Sequence, residues 1–111
     1  MPPRDSRLRI DDILGAITNI ETYVAGMSFD EFRGDQKTVD AVIRNLEVIG
    51  EATPHLSADQ EALPADVPWA DIAGMRNILV HEYFGVDLNI IWQTIASDLP
   101  ALRIQLLRLG K

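Results

Sequence analysis

At 111 residues with 47% hydrophobic side chains, the chain has enough apolar material for one folded core and too much for disorder. It has no cysteine, which excludes disulfides and thiolate metal sites. Its net charge of −7 excludes a broad basic surface for gripping nucleic acid, though not a small local site, and suits a basic partner.

The opening residues, Met1 to Asp5, lead into no apolar stretch of the signal-peptide type. From there the periodicity is helical. Ile10, Ile13, Leu14, Ile17, Ile20 and Val24 recur at helix spacing and predict a first helix over roughly 5–25. Asp5 or Ser6 can cap it and Gly26 can end it. The polar stretch Ser28 to Asp35 reads as a loop or short turn. Val39, Val42, Ile43, Leu46 and Ile49 mark a second helix over about 36–53, weakened at its end by Pro54.

A connector is expected from His55 to Pro68, with Ser57, Asp59, Pro64 and Pro68 as turn formers. Pro68 suits the first turn of a third helix, which runs through Ile72, Met75, Leu79 and Val80 to Tyr83 and stops at Gly85. Asp87 caps a fourth. Leu88, Ile91, Ile95, Leu99, Leu102, Leu106 and Leu109 then hold one face to the end of the chain. Pro100 predicts a kink or break near Asp98, with both halves still packed on one core. No run alternates like a strand, no apolar run approaches ~18 residues, and no internal boundary appears. The expected architecture is all-α, an antiparallel bundle of four to five helices in a single domain over 1–111, outside any membrane and cytoplasmic.

The chemistry concentrates in Arg76-Asn77-Ile78-Leu79-Val80-His81-Glu82-Tyr83, which holds one of only two histidines. Arg is a permanent cation that forks onto phosphate oxygens, and His moves protons near neutral pH. The pairing, without a metal-ligand cluster beside it, points to phosphodiester chemistry. On a helix Arg76 and Tyr83 nearly eclipse, and Asn77 and His81 share a face. Arg76 and His81, however, lie about 140° apart. Either the long Arg wraps around, or the helix unwinds near His81, or a second copy of the chain completes the site. A two-fold dimer is the favoured solution.

Each residue taken singly has a plainer role. His81 suits a helix C-terminus, Arg76 suits a surface ion pair with Asp71 or Glu82, and Tyr83 suits a half-buried core position. Elsewhere, Glu47 and Glu51 are four apart but lack a Glu-x-x-His partner and read as a polar, ion-paired face. His55 reads as a solvated loop residue. Trp69 and Trp92 read as core or interface anchors rather than base-stacking platforms. No metal site and no cofactor are expected.

The segment 76–83 resembles the R-x-x-x-x-H-x-Y motif of HepT-like proteins in the HEPN superfamily. The similarity extends to Asp40–Ala52, to Pro68-Trp69, to Phe84-Gly85-Val86-Asp87 with Trp92, and to Asp98-Leu99-Pro100-Ala101-Leu102. The resemblance implies a small all-helical toxin paired with a minimal nucleotidyltransferase antitoxin in a type VII-like system. It implies a homodimer with the motif helices at the interface, within a larger hetero-oligomer when the antitoxin binds. It implies metal-independent cleavage of RNA, and neutralisation by transfer of AMP from ATP to the motif tyrosine, Tyr83 here. His81 and Arg76 would then be the catalytic pair, with Asn77 beside His81. A second function suits the same residues: a non-catalytic helical dimer that binds a nucleotidyltransferase or a nucleotide and cuts nothing.

Overall fold

The computed structural model describes residues 4–59 and 87–109, with side chains over 7–52 and 87–108. Helix α1 spans Arg4–Val24, α2 Phe29–Arg33, α3 Gln36–Asp59, α4 Leu88–Gln93 and α5 Leu99–Leu109; a π-helical turn, Thr94–Asp98, joins the last two. The described residues contain no strand. The all-α expectation holds. Among the described residues α1 lies along α3, with α2 and α5 packed around them.

The core follows the apolar stripes of the sequence. Ile10, Ile13, Ile17 and Ile20 of α1 are buried with Val39, Val42, Ile43, Leu46 and Ile49 of α3. Leu14 and Val24 pack at the margin. Residues three and four apart on a helix share a face, so each stripe makes one wall. A polar bridge crosses the α1–α3 seam, from Asn19 Nδ2 to Asn45 Oδ1 at 3.1 Å.

Gly26 ends α1 as expected, for a backbone reason. Its φ of +76° lies in the left-handed region, which a Cβ disfavours. The other end differs by a residue or two. The helix begins at Arg4, so Asp5 and Ser6 fall in its first turn and do not precede it.

Two further boundaries depart from the sequence expectation. The stretch 28–35 is not only a loop, because Phe29–Arg33 forms a helix of five residues. Ser28 and Glu31 make a reciprocal capping box: Glu31 N–H donates to Ser28 Oγ at 3.2 Å, and Ser28 N–H donates to Glu31 Oε1 at 3.0 Å. The Ser28 backbone N–H, then its side chain, hold the Glu31 carboxyl below its ordinary value. Buried Phe32 anchors the turn.

The second departure is α3, which does not stop near 53 but runs on through Pro54 to Asp59. His55 is therefore part of a helix and not of a loop. Proline gives up one N–H and crowds the carbonyl four residues back. That cost is local, and a long helix already packed along its length from Val39 to Ala52 can carry it. At its other end α3 is well begun. Thr38 N–H and Thr38 Oγ1 both donate to the Asp35 carboxylate, at 3.2 and 2.8 Å. The hydroxyl, then the N–H, hold the Asp35 carboxyl below its ordinary value.

Pro100 has the effect expected of it. The chain does not break there; it widens into the π turn just ahead. Leu99 N–H reaches back five residues to the Thr94 carbonyl. Thr94, a buried polar residue, satisfies its hydroxyl by donating to the Ile90 carbonyl at 2.9 Å. The apolar stripe continues through the turn, and Ile91, Ile95, Leu99, Leu102 and Leu106 all join the one core.

Helix α5 is tied to α1 by Arg103, whose Nη2 donates to Thr18 Oγ1 at 3.2 Å and pairs with Glu21. Both partners of the ion pair are partly exposed, so it contributes at most about 1 kcal/mol. Burial of the neighbouring apolar side chains does more.

Candidate functional site

Arg76, Asn77, His81 and Tyr83, the residues on which the sequence concentrates the chemistry, lie outside the described residues, as do Trp69 and the expected helix over 68–83. What the structure describes is the frame on either side of them in the chain: α3, which leads to residue 59, and α4, which resumes at Leu88.

The start of α4 is firmly built. Asp87 precedes it in extended conformation, and its Oδ1 accepts from Asn89 N–H at 2.9 Å and from Asn89 Nδ2 at 3.2 Å. This is the N-cap expected at Asp87. It satisfies backbone donors that the first turn of a helix leaves open.

One turn later Trp92 enters an aromatic cluster. Its ring lies 5.0 Å from Phe32 and 6.1 Å from Phe29, centroid to centroid, tilted in both cases. These are attractive separations for aromatic pairs. The Arg33 guanidinium sits 5.6 Å from the Phe29 ring centre and also pairs with Asp30 at 3.1 Å. Trp92 is thus a packing anchor, as expected from its place in the apolar face. Through these rings α4 meets α2.

The short helix α2 was the part of this frame that the stripe pattern missed. The sequence does carry its signal: Ser28-Phe29-Asp30-Glu31 has the S-x-x-E spacing of a capping box. Phe32, fully buried, links α2 to both the core and Trp92. We expect Phe32→Ala to destabilise the fold by about 3–5 kcal/mol. Urea unfolding followed by circular dichroism measures this. A loss below about 1 kcal/mol would show that the corner is not the anchor described.

The polar, ion-paired face expected at Glu47 and Glu51 is present in part. Glu47 is half-buried and pairs with Arg44 at 3.7 Å, while Glu51 is exposed. Among the described residues, no group of three or more His, Cys, Asp or Glu is placed to hold a metal ion. None of the described helices is long and apolar enough to cross a membrane.

Comparison with known proteins adds what the frame alone does not. A family model described as ribonuclease HepT-like matches residues 13–109, which include the segment 76–83. The chain is 41% identical over 102 residues to a protein of Thermococcus cleftensis named a probable ribonuclease HepT, covering 92% of this chain and 93% of that one. It is 43% identical over 100 residues to a candidate RNase of Methanocaldococcus jannaschii, covering 90% and 83% respectively. A candidate RNase of Caldanaerobacter subterraneus is 46% identical over 82 residues, covering 74% of this chain and 73% of its own. No solved structure matches the chain at a significant level.

Proposed function

This chain belongs to the ribonuclease HepT-like family of the HEPN superfamily, and from that premise we propose that it is a metal-independent endoribonuclease acting as the toxin of a toxin–antitoxin pair. The observation that carries the reading is the extent of the family match. It runs from Ile13, inside α1, to Leu109 at the end of α5, and contains the segment Arg76 to Tyr83.

The chemistry of that segment supports it. Cleavage of RNA without a metal needs a base to take the ribose 2′-hydroxyl proton. It also needs a cation to offset the charge that builds on phosphorus. His81 is the base and then returns a proton to the leaving 5′-oxygen. Arg76 neutralises the phosphate oxygens as that charge develops. Asn77 shares the His81 face on helical spacing and orients the imidazole or contacts the scissile group. The 140° separation of Arg76 and His81 is resolved by two copies meeting at this helix, each contributing to one phosphate. The acidic surface accords with an enzyme that relies on a local site and not on bulk attraction to RNA.

In this reading the chain acts within a pair, with a small nucleotidyltransferase as the neutralising partner. Induction of the chain alone should therefore arrest growth, with loss of intact cellular RNA. Co-induction of a nucleotidyltransferase encoded beside it should restore growth. Unimpaired growth and intact RNA on induction alone, with the protein present and folded, would instead support a non-catalytic binding dimer.

A further inference from the structure

We draw no further inference here: the strongest candidate, the exposed apolar side chains Ile104 and Leu107 on the outer face of α5, carries nothing because nothing in the structure shows what covers that face.

Discussion

Replacing His81 by alanine should lower the rate of RNA cleavage by about 100- to 10,000-fold, the range in which a positioned general acid–base operates. The argument rests on what the chain contains. Only two histidines are present, His55 and His81, and only His81 stands in the segment with Arg76 and Asn77. No other side chain of that segment both takes and returns a proton near neutral pH. Arg76→Ala should be nearly as damaging, by about 100- to 1,000-fold, because it removes charge stabilisation aimed at the transition state. Arg76→Lys should recover little of this, since an ammonium cannot fork onto two phosphate oxygens. Neither residue is one of the buried side chains of the described core. Helical circular dichroism and the unfolding midpoint should therefore stay near wild type. A His81→Ala protein that cleaves at the wild-type rate would remove the proposed base. A mutant that has lost its helical signal would assign His81 a structural role.

The second large effect is expected at Tyr83. A partner nucleotidyltransferase should transfer AMP to its hydroxyl. In that transfer the phenolic oxygen would attack the α-phosphorus of ATP, the bond to the β-phosphate bridge would break, pyrophosphate would leave, and the phenol proton would pass to a base or to solvent. On helical spacing Tyr83 falls seven residues, or two turns less about 20°, from Arg76. The attached group brings a negative phosphodiester and a bulky adenosine to the place where RNA phosphate must bind. Arg76 would then be occupied by the wrong phosphate, and the substrate excluded by charge and by volume. The modified protein should remain folded and lose RNA cleavage. Tyr83→Phe removes the acceptor hydroxyl: it should keep some ribonuclease activity and escape neutralisation. Mass spectrometry of the protein after co-expression with the partner reads the modification directly. An unmodified Tyr83 in a fully neutralised complex would point instead to simple occlusion by the bound partner.

Much of the fold is legible in the sequence because amphipathic helices advertise themselves. The stripe Ile10, Ile13, Ile17, Ile20 and the stripe Val39, Val42, Ile43, Leu46, Ile49 are both apolar at helix spacing, and both are buried. Gly26 marks the end of α1 and Asp87 the start of α4, through chemistry that few residues share. Helix α2 escaped the stripe pattern because five residues are too few to show a period. Its evidence is local, in the reciprocal bonds of Ser28 and Glu31. The extent of α3 escapes the sequence pattern for the opposite reason. Pro54 is a strong local breaker, but its cost is opposed by packing spread over four turns before it. Pro100 lies between these cases. The sequence places a disturbance near Asp98, and the structure resolves it as a π turn with the Leu99-to-Thr94 bond. The residues of the candidate site lie outside the described residues and are proposed on chemistry, since Arg, His and Tyr in one short segment suit a phosphate. Their mutual geometry is not legible, because helical spacing sets Arg76 and His81 about 140° apart and a partner surface leaves no periodic trace in a single chain.

The most direct measurement is digestion of a defined single-stranded RNA by the purified wild-type chain in excess EDTA, with chemical analysis of the new ends. Transesterification by His81 and Arg76 requires no divalent ion, so cleavage should proceed unchanged with chelator. It should leave 2′,3′-cyclic phosphates, or their opened form, opposite free 5′-hydroxyls. Activity that disappears with EDTA and returns with a divalent cation, or products carrying 5′-phosphates and free 3′-hydroxyls, would contradict the account.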